Sequence, residues 1–465
     1  MNLPVNNKKL VLIILMGLAV RIFALPLPGT DDMLTNQLWG SEMLARGVTH
    51  GYFSTDVDNL TKAILSWRHL PYRQATAFRT ELGILDHVPD YPPLSMYLFW
   101  ITAWAAKLIQ GGQLQEGGLL NACFNILPLL GGLGIAFAAW SFLCRQGVAR
   151  PWLAVAAFWL SPVMLLHSPV LGYVDSIFAL LGFCSLTLLY QRRYTASVLF
   201  LVLSCLTKPQ GVLILPVVLV AILAEKDWRL FRRASLNLVL FSLVPFLPFI
   251  LTGAGLGALR GTFQVMHAGY LSYNQNNLWW IVSWVLPAAS EKSYALLTRE
   301  VMMRKTEEFR EVFGFDAQWI ALFLLGVVLA VSLCFLWTEL QKGNRRAIFW
   351  AAALQVYFFT MLALHPHENH LYSFFVYALP VLVIGRRQFV GIYAALSLIF
   401  GLNIFLFDGF GRGLAGPGQA LRFGAGFDLT VLVAAINLAV FAWLVTHKRW
   451  LFELTRSPEP SLAGG

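Results

Sequence analysis

Ten stretches of predominantly apolar residues, each close to the roughly 20 that a helix needs to cross a bilayer, constrain this chain more than any motif it carries. They lie near 10–27, 119–144, 150–168, 172–190, 234–254, 318–338, 346–364, 371–386, 389–407 and 428–447. A bilayer core offers no partner to a bare N–H or C=O, so such runs close their hydrogen bonds internally, as helices. The stretch 194–225 is too long for one crossing and is broken by Thr207-Lys208-Pro209-Gln210, so it reads as two short helices meeting at the break. Ten runs and these two predict an all-α polytopic membrane protein with about twelve spans. Only 12% of the residues are charged, against roughly 25% in soluble domains, which excludes a soluble globular protein.

Charge orients the spans. Lys+Arg 34 against Asp+Glu 24 leaves +10, which collects either on a nucleic-acid face or in cytoplasmic loops. The run 92–110 opens with Pro92-Pro93. If it does not cross, the segments holding Lys8 and Lys9, Arg145 and Arg150, Arg192 and Arg193, Lys226 to Arg233, Lys342 to Arg346, Arg386 and Arg387, and Lys448 and Arg449 all fall on the cytoplasmic side. If it crosses, nearly all fall outside. It is therefore taken as a helix in or on the outer leaflet, with both termini cytoplasmic and no nucleic-acid partner. Large outer segments follow at 28–118 and 255–317, with short ones at 169–171, 365–370 and 408–427. The first run lacks a small-residue cleavage site and stays as an anchor. The five cysteines show no pairing or metal spacing and read as packing residues.

Ionisable residues near membrane depth call for a reason. Arg21, Asp175, Lys208 and the cluster His365-Pro366-His367-Glu368-Asn369-His370 all fall near the outer interface. Arg21 is read either as a snorkelling cation or as a site residue. Lys208 beside a freed helix end makes a site for phosphate. Asp31 and Asp32 open the first outer segment, and paired acids there serve as a general base, bind a metal, or cap a helix. Tyr273 to Trp280, with Asn276 and Asn277, is an amide and aromatic cluster suited to an interface belt or to stacking on sugar. The tail Ser457 to Gly465 reads as disordered.

Asp32 stands seven positions before Trp39; Asp90-Tyr91-Pro92-Pro93-Leu94 with Tyr97 closes the segment; and Gly172-Tyr173-Val174-Asp175, Thr207 to Gln210, Asn276 to Trp279 and His365 to Glu368 follow in order. In that order and spacing, over residues 10 to about 385, the chain resembles the GT-C glycosyltransferases that use polyprenyl-phosphate sugars. It is similar to the dolichyl-phosphate-glucose glucosyltransferases of N-glycan assembly and to bacterial relatives of the GPI mannosyltransferases. Two positions depart from the family's pattern. Tyr173 stands where the family has an amide, and Asn369 where it often has Lys or Arg. The insert 55–88 is long for the family.

The resemblance implies a GT-C catalytic region over 1–385, followed by C-terminal helices and a short tail over 386–465. It also implies an inverting transfer of a hexose, mannose or glucose, from a polyprenyl-phosphate donor to a lipid-linked or other glycan acceptor among membrane lipids. Asp32 is implied as the base, with Asp31 as helper or substitute. Arg21, Lys208, Gln210, His365, His367 and Glu368 are implied at the donor's phosphate and sugar, and Trp39, Tyr91, Tyr97, Asp175, Asn276 and Asn277 at an acceptor or structural site. Related enzymes differ in metal dependence, so a divalent cation stays open and no metal ligand is assigned. No Gly-rich nucleotide loop is evident, in keeping with a lipid-activated donor. The expected setting is a bacterial cytoplasmic membrane with the site facing the periplasm, ahead of the endoplasmic reticulum. A polytopic transporter or flippase is the other class.

Overall fold

The computed structural model describes residues 7–52, 91–264, 269–291, 297–298, 300–384 and 387–456. The insert 55–88, Asp90 and the tail from Ser457 lie outside them. Among the described residues the chain is helical, with only isolated bridges such as Tyr270 with Lys305 and Tyr273 with His367. Among the described residues five helices are long and apolar enough to cross a membrane: Gly118–Arg145, Trp228–Leu251, Ala317–Gln341, Gln388–Asp408 and Leu429–Leu454. The protein is thus a polytopic integral membrane protein.

Other apolar runs are broken rather than straight. The run 150–168 becomes Trp152–Trp159 and Pro162–Val170, bent by 53° at the break, where Pro162 lacks the N–H that a continuous helix would use. The run 371–386 divides into Tyr372–Tyr377 and Leu379–Ile384. Around Thr207-Lys208-Pro209-Gln210 the expectation holds: helix Tyr194–Thr207 stops, Lys208 is extended (φ −147°, ψ 136°), and a 3-10 turn over Pro209–Ile214 leads into Leu215–Leu223. A residue before proline avoids helical geometry. The run 92–110 forms one helix, Pro93–Ile109, with proline at its start.

One helix organises the packing. Ala347–Leu362 is buried along nearly its whole length; a helix that is apolar all round belongs in a core. Trp228–Leu251 and Ala317–Gln341 instead leave most of their apolar surface outside the bundle, including Leu243, Val244, Leu251, Trp319 and Phe323. These are lipid-facing surfaces.

A buried ion pair ties the second outer segment to the last helix. Asp428, 2% exposed, caps helix Leu429–Leu454 by accepting from Thr430 N, and accepts from Arg422 Nη2 at 2.6 Å and from Val301 N at 3.0 Å. Burial alone would raise this carboxyl, but Arg422, Thr430 and Val301 hold it below its ordinary range. Removing one partner of such a pair leaves an uncompensated charge, so Asp428→Ala is expected to cost about 3–5 kcal/mol, read as a lowered thermal midpoint in detergent. Because the folded-state pKa is depressed, this stabilisation is whole above the unfolded carboxylate value, about 3.9, and is lost as pH falls through the lower folded value.

Candidate active site

The first turn of helix Asp31–Arg46 carries Asp31 and Asp32. Thr30, not either aspartate, occupies the N-cap position, and its side chain makes no capping bond. The carboxylates therefore sit inside the first turn, where the helix dipole favours negative charge. Seven residues are two helical turns, so Trp39 shares Asp32's face. Trp39 meets the Tyr91 ring edge-on at 5.6 Å and stacks on Phe99 at 6.4 Å.

The start of this acid helix is gripped from two sides. Thr30 N donates to Leu171 O at 2.9 Å, and Arg412 N donates to Gly29 O at 2.7 Å. Gly29 has φ +63° and stands so close to Met33 and Leu171 that an added Cβ would lie within 2.8 Å of the Leu171 carbonyl. Only glycine fits this corner.

The break after Thr207 brings Lys208 inward. Its Nζ lies 2.7 Å from Asp175 Oδ1, with Asp175 fully buried at the first turn of its own helix. His167 Nε2 stands 3.5 Å from Asp175 Oδ2, and neither atom has a hydrogen-bond partner. That distance suits electrostatic contact better than a hydrogen bond. Lys208 Nζ also lies 5.9 Å from the Tyr91 ring, which joins this group to the aromatic wall beside the acid helix.

The loop 365–370 folds against residues 270–275. His365 N donates to Leu271 O at 3.2 Å and Tyr273 N to Pro366 O at 3.2 Å, while the Tyr273 ring lies 5.3 Å from His365 and 4.3 Å from His367. Both histidines thus line one side of the loop, and His365 holds a left-handed backbone, φ 58°, rare outside glycine. His370 connects this loop to the Lys208 break: its Nδ1 accepts from His367 N at 3.2 Å, and its Nε2 lies 2.8 Å from the Gln210 amide. A neutral ring has one N–H, so Nε2 carries it and the amide oxygen of Gln210 belongs on that side.

Burial pushes His365 down to about 4 and His370 down to about 3, and pushes His367 well below its ordinary value. The three rings are therefore neutral near pH 7, and what they can offer a ligand is hydrogen bonds rather than charge. Because these folded-state values are lowered, the stability linked to the neutral rings is full above about pH 6.5 and is lost as pH falls toward about 4. Thermal midpoints of wild type and His365→Gln are expected to converge over that interval, and a constant gap between them would refute it.

Glu368 faces the acids. Tyr173 Oη lies 2.6 Å from Glu368 Oε1 and 3.0 Å from Asp408 Oδ2. Burial, then Asp408 and Asp32, raise the Glu368 carboxyl well above the ordinary range despite the Tyr173 hydrogen bond. The structure thus gathers Asp31, Asp32, Glu368 and Asp408 at one end and Lys208, Gln210, His367 and His370 at the other. Among the described residues no group of three or more His, Cys, Asp or Glu could hold a metal ion.

Other expected residues take different parts. Arg21 packs its guanidinium 3.5 Å from the Trp159 ring centroid and donates to Trp159 O at 2.8 Å and Gly17 O at 3.1 Å, one layer behind His167 and Tyr372. Tyr97 donates to Pro245 O at 3.2 Å and packs on Phe249. Asn277 caps helix Leu278–Glu291 by accepting from Trp280 N at 3.0 Å, and donates to Thr360 O at 3.0 Å. Asn276 is held by its backbone, its N donating to Asn403 Oδ1 at 2.7 Å and its O accepting from Asn437 Nδ2 at 2.7 Å. Both atoms of its own amide lack a partner.

Asp408, Arg412 and His167 escape a motif reading. Asp408 ends a long apolar helix, where a charge reads as a boundary; Arg412 follows in a glycine-rich turn; His167 lies inside an apolar run.

No protein-family model matches the chain, and no curated protein matches it. Among solved structures the chain is similar to ArnT from Cupriavidus metallidurans in the apo state, with 17% identity over 97% of this chain and 77% of that one and a TM-score of 0.44. A likeness at that level assigns neither family nor activity.

Proposed function

We propose that this protein is an inverting glycosyltransferase of the GT-C type, moving a hexose, mannose or glucose, from a polyprenyl-phosphate donor to a lipid-linked or other glycan acceptor at the outer face of a bacterial cytoplasmic membrane. One observation carries the reading: Tyr173, Asp175, the Lys208 break and the His365–His370 loop, far apart in sequence, join in buried polar contacts among apolar helices, and the half-buried Asp32 acts electrostatically on Glu368 beside them. Buried polar and ionic groups at membrane depth are costly and mark function.

The arrangement meets the needs of a single displacement. Asp32, at the start of its helix, takes the acceptor hydroxyl's proton as that oxygen attacks the anomeric carbon. Lys208 supplies positive charge to the departing phosphate, while the neutral His365, His367 and His370 and Gln210 supply hydrogen bonds. Trp39, Tyr91 and Tyr273 offer aromatic faces to a sugar ring.

Purified protein incubated with a panel of polyprenyl-phosphate hexoses and lipid acceptors is expected to release polyprenyl phosphate and form a glycoside of inverted configuration. No transfer from any donor would overturn the reading. Broken helices at Pro162 and at Lys208 are also a feature of transporters; donor moved across a vesicle membrane without transfer would favour that class.

A further inference from the structure

We propose that Asp408 is a positioning residue of the reaction centre, holding the Tyr173 hydroxyl together with Glu368 and so fixing the field in which Asp32 takes the acceptor's proton; the inference rests on the transferase reading above.

The argument starts from one proton. A tyrosine hydroxyl donates to one acceptor at a time, yet Tyr173 Oη has carboxyl oxygens of Glu368 and Asp408 at 2.6 and 3.0 Å. Two ionised carboxylates sharing one hydroxyl would repel at this range with little solvent to screen them. The trio therefore keeps at most one negative charge. Burial and its acidic neighbours raise Glu368 well above the ordinary carboxylate range.

The backbone holds this trio to the acid helix. Tyr173 follows Leu171, whose carbonyl accepts from Thr30 N, and Asp408 precedes Arg412, whose N–H donates to Gly29 O. Both turns thus grip the two residues before Asp31. Asp32 in turn acts electrostatically on Tyr173 and on Glu368.

The groups around this unit come from six elements, the nearest to Tyr173 among the rings being His167 of Leu166–Val170, with centroids 4.9 Å apart. Asp31 and Asp32 belong to the acid helix. Tyr273 comes from the 270–275 segment, Glu368 and the three neutral histidines from the loop, Arg412 from the turn after Asp408, and Lys208 from the break. Arg412 is drawn to Asp31 and Glu116, so Asp408 is not simply its counter-ion. The 386–465 region, which carries no family motif, contributes both residues.

The test uses purified full-length protein and whichever polyprenyl-phosphate hexose the wild type accepts. Asp408→Asn and Tyr173→Phe are each expected to lower kcat on the order of 10²-fold, as misplacement in a reaction centre does, with donor KM changed by less than about twofold because the interaction serves the transition state. The double variant is expected to be no slower than the worse single one, since residues acting as a unit are not additive. Asp408→Glu should recover part of the rate.

Losses that multiply in the double variant, or no recovery in Asp408→Glu, would overturn the proposal in favour of a packing role. If Asp408→Asn does not fold, Tyr173→Phe and Asp408→Glu decide: wild-type kcat in both overturns it. A wild type inactive with every donor overturns the transferase reading and this inference with it, whereas an active wild type with unchanged variants overturns this inference alone.

Discussion

Asp32→Asn is expected to reduce kcat by 10²- to 10⁴-fold, the usual cost of losing a general base, while leaving the protein folded. The cap position belongs to Thr30, so Asp32 is not required to start its helix. Loss of its charge from the first turn costs only about 0.3–1 kcal/mol through the helix dipole. Turnover and thermal midpoint therefore separate the two roles. A large fall in rate with a midpoint shifted by a few degrees at most identifies the base. Near-normal turnover removes Asp32 from that role and passes it to Asp31, which shares the same turn.

Lys208→Met is expected to cost about 3–5 kcal/mol of stability, because it strands the Asp175 carboxylate in the interior. Asp175 is fully buried and Lys208 is 5% exposed, and His167 at 3.5 Å is the next group able to compensate. Activity lost in this variant could reflect folding alone. The paired variant Lys208→Met/Asp175→Leu removes both charges, and replacing a buried pair by apolar residues is often neutral for stability. Its thermal midpoint is expected to return close to wild type while turnover stays low, since the cation proposed for the leaving phosphate is gone. Recovery of turnover in the paired variant would show that Lys208 serves packing only.

Much of the fold could be read in advance, because apolar length is a strong signal in a membrane protein. The helix break at Lys208 was legible for a local reason: proline fixes its own geometry and restricts the residue before it. The bend at Pro162 was not, since Trp152 to Val170 is predominantly apolar and long enough for a single span, and a proline inside a span can be absorbed without a 53° bend. At the site, Asp32, Lys208 and the His365–His370 loop stood out because their cost in a membrane is visible one residue at a time. Asp408 and Arg412 did not, because their meaning comes from contacts with Tyr173 and Gly29, more than two hundred residues away. The charge of the histidines was equally hidden, being set by burial that no local pattern encodes.

The hold of Asn437 on the backbone of Asn276 bears on the order in which the protein is made. Helices enter a membrane from the N-terminal end as the ribosome delivers them, so the acid helix and the Lys208 break are in place early. The 270–277 segment that backs the histidine loop is clamped by Asn403 and Asn437, and Val301 by Asp428. All three belong to the last two long helices. Until helix Leu429–Leu454 is in place, the chain therefore lacks the contacts that hold Asn276 and Val301 where the structure has them.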